Sequence, residues 1–427
     1  MQNLMSLAPT ILREKQRDFS WDFPTADTKE FTHNLHSYPA MMIPQVARRL
    51  LRVYGKSVTS LIDPFMGSGS VLVEGMLHEP TTTLYGIDIN PLAILIAKAK
   101  TTPLKPELLE KEFSRISSNI EYKKDAELGF FNLQNISYWF KQNVIEALSK
   151  LKKSIDEIEH EKIRNFFLVC FSETVRKVSN TRQGEFKLYR IEEKKLAAHS
   201  PDTISIFNQI VKRNIKGMHA FYSSLKFLDK KNEVKIYKED TRLKTSIPSD
   251  SCDILVTSPP YGDSRTTVAY GQFSRLSSQL LGYPYDEVKR VDQNGLGGKR
   301  NYEENGLPSL HLKKILDKIT SLDKIRALDV LSFYHDFDKC IDEINRIMKI
   351  NSHLCFVVGN RTVKGVKIPT DDIIAELFTS RGNYGHITTF IRRIPNKRMP
   401  KINSPSNVKG VTSSTMDKEY LVILKKI

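Results

Sequence analysis

The sequence predicts an α/β protein: a doubly wound sheet, mostly parallel, with an antiparallel final strand and a mainly helical insertion. Two stretches and one pattern carry that prediction. The first stretch, Ser60 to Ser70, is an apolar strand running into a Gly-rich turn; Val71 to Leu77 follows as a helix, and Thr83 to Asp88 as a short strand closed by an acid. Strand, turn, helix and strand in that order form the unit that sets parallel strands side by side. The second, Ser251 to Val256, is another apolar strand, stopped by Thr257-Ser258-Pro259-Pro260-Tyr261. Strand-like and helix-like periods then alternate to the C-terminus.

Taken in order, residues 1–35 read as an N-terminal arm whose Phe19, Trp21 and Phe23 pack on the main body. A catalytic domain is expected over 36–100 and 231–427. Pro44 suits the first turn of a helix, and Val46, Arg49, Leu50 and Val53 have helical spacing. In the turn after the next strand, Gly67 and Gly69 let the backbone approach a ligand closely. The dinucleotide fingerprint is not met, because Leu72 stands where its third glycine belongs. Asp88, ending the second strand, can accept bonds from both hydroxyls of a ribose. A helix over Leu92 to Lys100 covers the sheet.

Residues 101–230 then form a charge-rich, mostly helical insertion, with helical periods at 143–153, 162–175 and 204–225. Inside it, Arg176, Arg182, Lys187 and Arg190 interleave with small polar and aromatic residues on an expected loop. Guanidinium and ammonium groups in such a setting bind phosphates and read base edges. Residues 233–240 alternate as a third strand ending at Asp240, and Asp250 and Asp253 are expected in the turn before the next strand. The polar, Gly-flanked stretch 262–275 is expected to be a loop over the site rather than core, 295–302 another basic loop, and 262–330 as a whole a lid and further contact region, with Arg265, Lys299 and Arg300 as basic contacts. Beyond it, Leu331 to Ile350 is an amphipathic helix, His353 to Asn360 a buried strand and Asp371 to Ser380 a helix. His386 to Arg393 and Glu419 to Lys425 are expected to pair antiparallel and close the sheet edge.

Composition narrows the function. Lys and Arg number 65 against 49 Asp and Glu, a net charge of +16 with pI near 9.4, which favours a polyanionic partner. The four cysteines have no metal-like spacing, suit a reducing compartment and none follows a proline. No apolar run reaches membrane-spanning length, and Met1 to Lys15 lacks a signal-peptide core. A cytoplasmic protein with no membrane association and no metal is expected.

At Ser258-Pro259-Pro260-Tyr261 two prolines force the backbone out of the sheet in a fixed extended turn. That frees carbonyl acceptors beside an aromatic ring, which suits the amino edge of a planar base. Together with Asp63-Pro64-Phe65-Met66-Gly67-Ser68-Gly69-Ser70, this turn resembles the amino-group DNA methyltransferases that use S-adenosylmethionine. The serine that opens it resembles the cytosine-N4 branch, where adenine-N6 relatives carry Asp or Asn.

The resemblance implies the class I methyltransferase (Rossmann-like) fold and cofactor contacts from Asp63, Phe65, Gly67, Gly69, Asp88 and Asp240, the last to the adenine amino group. It implies a cavity cover from the segment before Pro44. Ser258, Pro259, Pro260 and Tyr261 would be the catalytic turn acting on a base flipped out of double-stranded DNA. A restriction-modification role, with room for a cognate restriction endonuclease, belongs to the same implication. The order of the two motifs, cofactor before catalytic, and the long insertion both depart from many cytosine-N4 enzymes. Adenine-N6 methylation, guanine-N2 methylation of RNA and a non-catalytic nucleic-acid-binding subunit stay open as alternatives.

Overall fold

The computed structural model describes residues 12–79, 81–122, 131, 133–229, 231–263, 266–301, 306–395, 402–403, 413–414 and 416–427. Its centre is one sheet of eight strands: β1 (Lys15–Arg17), β2 (Ser60–Asp63), β3 (Thr83–Ile87), β4 (Glu233–Tyr237), β5 (Cys252–Thr257), β6 (Met348–Val358), β7 (Tyr384–Arg393) and β8 (Lys418–Lys426). Their lateral order is β1-β7-β8-β6-β5-β2-β3-β4. Strands β2 to β6 pair parallel with their neighbours, and β8 runs antiparallel to both β6 and β7. This is the doubly wound, mostly parallel arrangement with an antiparallel final strand that the sequence predicts, extended by β1.

The last two strands pair antiparallel as expected, β8 lying between β6 and β7. The departure is at the edge itself, where β1 from the N-terminal arm pairs parallel with β7 beyond them. Three residues carry no periodicity, so β1 had no signal in the sequence. The arm is anchored next to it by Trp21, which is buried, lies 5.6 Å from the Phe390 ring and has the Arg49 guanidinium 4.3 Å above its own.

Side chains alternate across the strands and divide the interior in two. Ile254 and Val256 of β5, Cys355 and Val357 of β6, and Leu421 and Ile423 of β8 face one core. Their neighbours Leu255, Leu354, Phe356, Val422 and Leu424 face the other. The first core is covered by α1 (Pro44–Tyr54), α2 (Ser70–Leu77) and α3 (Pro91–Lys100). It continues without a break into the helices of the insertion: α4 (Pro106–Tyr122), α5 (Gln142–Asp156), α6 (Glu161–Val178) and α7 (Thr203–Phe227). Phe166, Phe171, Val211 and Met218 are buried in the same cluster as Leu61 and Leu72. The insertion therefore thickens one side of the sheet.

The loop expected over 262–275 gives way to a helix at Tyr270, and the rest of the 262–330 segment is mainly helical. α8 (Tyr270–Leu280) packs on the first side and α9 (Tyr285–Asn294) packs on α8, while α10 (Leu310–Leu322) joins α11 (Lys324–Ile347) and α12 (Thr370–Thr379) on the second. Phe273, Leu276, Ser277 and Leu280 give α8 a buried stripe at helical spacing, which its serines and glutamines masked. Asp253 is likewise not a turn residue. It lies in β5, and its Oδ2 accepts the amide and hydroxyl hydrogens of Thr59 and Ser60 at 2.8 to 3.0 Å. Among the described residues no helix is long and apolar enough to cross a membrane.

The start of α2 supplies a direct test. Gly69 has φ +78°, and a Cβ there would stand 2.9 Å from the Ala97 Cβ on α3, whereas Gly382 has the same φ with nothing within 4 Å. Both substitutions to Ala carry the left-handed penalty, roughly 1–2 kcal/mol. Gly69→Ala adds overpacking, about 1–3 kcal/mol. Denaturant midpoints should therefore show Gly69→Ala clearly less stable than Gly382→Ala; equal losses would rule out a close contact between α2 and α3 at this glycine.

Candidate active site

β2 lies between β3 and β5, so the turns that leave the carboxyl ends of β2 and β5 emerge side by side. One cavity joins them. Asp63, Phe65, Gly67 and Ser68 line it from the first turn, Ser258 and Pro260 from the second, and Asp88 and Asp240 from the ends of β3 and β4. Residues Tyr38 to Met42 and Tyr270 close its other walls. The sequence places these groups nearly two hundred residues apart; the sheet brings them to one rim.

At the Gly turn, the Gly67 N–H donates to Asp88 Oδ2 at 2.9 Å, and a Cβ on Gly67, at φ +50°, would enter the space 3.6 Å from the Tyr38 ring. Gly69 does not line the cavity; its task is the helix contact described above. Asp88 also accepts the Asn90 N–H at 2.8 Å, yet burial outweighs both bonds and pushes its carboxyl up to about 6. Asp63 is buried beneath the turn. It takes the Thr257 hydroxyl hydrogen at 2.6 Å and the Phe65 N–H at 3.2 Å, and burial, followed by these bonds in the opposite sense, leaves it up at about 7. Phe65 is braced by a stack on Phe337 at 6.3 Å. Asp240 reaches the wall with its carboxylate already held by Arg242, Nη2 to Oδ2 at 2.6 Å; Arg242 also pairs with Asp336 at 3.0 Å.

Several wall residues were not singled out by sequence. Asn90 caps α3 by accepting the Leu92 N–H at 3.1 Å, and its Nδ2 donates to the Tyr38 hydroxyl at 3.0 Å. The Tyr38 ring stacks on Tyr270 at 5.9 Å. The Asn-Pro helix start was legible as a local signal, but its second bond is long-range. Lys100, at the last turn of α3, is fully buried, with Nζ 3.1 Å from the Ser68 hydroxyl and 3.7 Å from the Met41 sulfur. No carboxylate among the described residues pairs with it, and burial drives its ammonium down to about 7.

At the second turn, Ser258 and Pro260 face the cavity while Pro259 is buried. Tyr261 turns away from it. Its ring lies against Gly359, where a Cβ would come 2.9 Å from Cδ2, and its hydroxyl reaches Glu419 at 3.0 Å.

The basic residues fare unevenly. Arg176 is not on the surface: it is 6% exposed, lies 4.6 Å over the Phe273 ring and donates to the Glu185 carbonyl. Its place at the last turn of α6 sends it inward, where it ties down the following loop. Arg182 is exposed, Lys187 half-buried, and Arg190 covers the Tyr138 ring at 4.3 Å. Lys299 is exposed, and Arg300 pairs with Asp329 at 2.7 Å. The Gly295–Arg300 stretch is anchored, with the Gly297 N–H on Asp336 at 2.9 Å. Arg265 lies outside the described residues.

No protein-family model matches the chain. Among solved structures, an rRNA methyltransferase, AviRa from Streptomyces viridochromogenes, aligns over 92% of this chain and 88% of its own at 11% identity and a TM-score of 0.32, too weak a likeness to argue from. The Type II methyltransferase M.MjaII of Methanocaldococcus jannaschii is 34% identical over 174 residues, 37% of this chain and 32% of that protein. The Type II methyltransferase M.MvaI of Kocuria varians is 43% identical over 428 residues, 94% of this chain and 93% of that protein. Identity at that level, across nearly the whole of both proteins, makes the chain a member of the Type II methyltransferase family.

Proposed function

We propose that the protein transfers a methyl group from S-adenosylmethionine to the exocyclic N4 of a cytosine flipped out of double-stranded DNA. The observation that carries this reading is the single cavity shared by Gly67 and Ser258. The wall fits the cofactor. Asp88 would offer carboxylate oxygens to a ribose diol and Phe65 an apolar face, while Lys100, enclosed behind Ser68 and Met41, would supply a cation with no carboxylate partner among the described residues. When bound, S-adenosylmethionine supplies an electrophilic methyl group on a sulfonium sulfur.

The chain's own residues hold the other reactant. A base inside a duplex cannot present its amine in line, so it leaves the stack. The Ser258 hydroxyl oxygen and the Pro259 carbonyl accept the amine hydrogens and draw the nitrogen lone pair out of ring conjugation. Fixed prolines keep these acceptors from relaxing. Alignment of this kind is worth up to ~7–11 kcal/mol, so no covalent nucleophile is called for. The serine at the head of the turn supports cytosine over adenine. The net charge of +16 and the exposed cations Lys299 and Arg182, the latter shared with Glu192 at 3.4 Å and Glu185 at 3.8 Å, support a DNA partner, and a cognate restriction endonuclease fits the family.

Sequencing DNA from a methylation-free host that expresses the protein reads both the base and its context; N4-methylcytosine is expected, and N6-methyladenine would replace the cytosine assignment. Ser258→Ala should lower the transfer rate by about 10²-fold or more with the cofactor dissociation constant nearly unchanged. Asp88→Ala should instead weaken cofactor binding by about tenfold or more, the scale of one or two lost charged hydrogen bonds. Equal loss of cofactor binding in both would contradict this division.

Lys100 gives a pH-dependent test. Its folded-state value of about 7 lies below the ordinary 10.5, so its cost to stability is absent well above 10.5, grows as the pH falls and is complete below about 7. Lys100→Met should stabilise the ligand-free protein by a few kcal/mol near pH 6, since each tenfold loss of proton affinity on folding costs roughly 1.4 kcal/mol, and by much less near pH 10. The same variant should lose cofactor affinity. For DNA, replacing Arg182 and Lys299 together by Ala should reduce the slope of log affinity against log salt by about 1 to 2, alike for all sequences. A loss confined to one sequence would make these residues base readers.

A further inference from the structure

Ser258 is the first member of a chain of hydrogen bonds that leads out of the cavity. Its hydroxyl donates to Tyr261 Oη at 3.1 Å, and Tyr261 donates to Glu419 Oε1 at 3.0 Å. Glu419 Oε2 is gripped by the Arg392 guanidinium, whose Nε donates to the Trp21 carbonyl at 2.9 Å. All the donors between Ser258 and Glu419 point the same way, from the cavity towards the carboxylate. Both lone pairs of the Ser258 oxygen are thereby left for hydrogens arriving from the cavity side. Glu419 stands on β8, the antiparallel strand, with 16% of its side chain exposed. The charged and titratable groups around it are Tyr261 on the turn and Arg392 on β7; beyond Arg392 lies Asp22, paired with Arg17 in the N-terminal segment, and beyond Tyr261 lies the Tyr270 phenol.

We propose that Glu419 is a positioning residue of the transfer reaction, orienting Ser258 through Tyr261 and receiving the proton that the target amine gives up. This rests on the reading that the Ser-Pro-Pro-Tyr turn holds that amine. A methylated exocyclic amine is a cation with one hydrogen too many. Its N–H bond breaks with the electron pair staying on nitrogen, and the proton forms a new O–H on Ser258. The original Ser258 proton passes to Tyr261, and the original Tyr261 proton passes to Glu419, turning the carboxylate into a carboxylic acid. Ser258 and Tyr261 end as they began, and the positive charge has moved from the base to Arg392, no longer balanced by a carboxylate. An N-protonated aromatic amine of this kind is a stronger acid than a carboxylic acid, so the direction is downhill. Burial, and then the Glu419 charge, keep the Tyr261 phenol protonated, which makes it a hydroxyl able to pass a proton on. From Glu419 the proton leaves to water at the exposed edge.

The test is single-turnover methylation of a duplex by the full-length protein across a pH series, with cofactor binding by calorimetry and thermal melting alongside. Glu419→Gln can still accept the Tyr261 hydrogen bond but not a proton. It is expected to slow transfer by about 10²-fold, the low end of general acid–base contributions. Its rate should climb with pH as hydroxide replaces the lost acceptor, with cofactor affinity unchanged. Tyr261→Phe keeps the ring and cuts the chain one link earlier, so it should slow transfer similarly, and the double variant no further. Wild-type rates in Glu419→Gln would overturn the relay; should that variant not fold, wild-type rates in Tyr261→Phe would do so alone. A slow Ser258→Ala beside a fast Glu419→Gln removes only the relay, whereas a fast Ser258→Ala removes the reading of the turn itself.

Discussion

One carboxylate holds the two halves of the sheet in register. Asp253 Oδ2 takes four hydrogens from Thr59 and Ser60 at the start of β2, while Oδ1 takes the Lys349 ammonium at 2.7 Å from the start of β6. Burial alone would raise this carboxyl; Lys349 and the Ser60 and Thr59 donors overcome it and hold it down to about 2. The clamp sits where the strand order reverses, with β3 and β4 on one side of β2 and β6 beyond β5 on the other. A doubly wound sheet opens its crevice at that place. Pairing Leu61 with Ile254 and Ile62 with Leu255 then fixes how far the two turns stand apart at the opposite end of the same strands. A slip of one residue would reverse every side chain of β5 and withdraw Ser258 from the cavity.

The cavity gathers groups whose charges cost energy to bury. Asp63 and Asp88 are raised and Lys100 is lowered by the same desolvation, with few opposite charges to relieve it. Away from the cavity several buried charges are paired, Glu74 with Arg48 and His33 and Glu173 with Arg213, although Arg176 is buried with only a ring and a carbonyl beside it. Paired groups stabilise the ligand-free fold, whereas the unpaired ones in the cavity wait for a ligand carrying a diol or an opposite charge.

How much of this could be read from the sequence follows the range of each interaction. The Gly turn, the Pro turn and the strands before them are local patterns, and they stand close to where they were expected. Asp63, Phe65, Gly67, Asp88, Asp240, Ser258 and Pro260 do share one cavity. Gly69 and Tyr261 belong to the same motifs, but their neighbours, Ala97 and Glu419, are remote in sequence, and those neighbours decide which way each faces. Arg176 reads as a surface cation until Phe273 and the Glu185 carbonyl, both settled by tertiary packing, draw it in. Lys100 ends a mostly apolar helix in sequence; only the approach of Ser68 and Met41 shows that its amine is enclosed. β1 and the central place of β8 are pure long-range pairing.

The insertion's packing bears on how the cavity meets a macromolecule. Because α4 to α7 share their core with α1 to α3, they cannot turn as a separate module without breaking that core. What remains free to approach a partner is the rim. The loop after α6 is braced there: the Leu188 N–H donates to the Gln272 side chain of α8 at 3.2 Å, and the Ser277 hydroxyl of the same helix donates to the Ser172 carbonyl of α6 at 2.7 Å. α8 also carries Tyr270, which stacks on Tyr38 in the cavity wall. The exposed loop, α8 and the wall of the site are thus joined by direct contacts, with the packed insertion behind them.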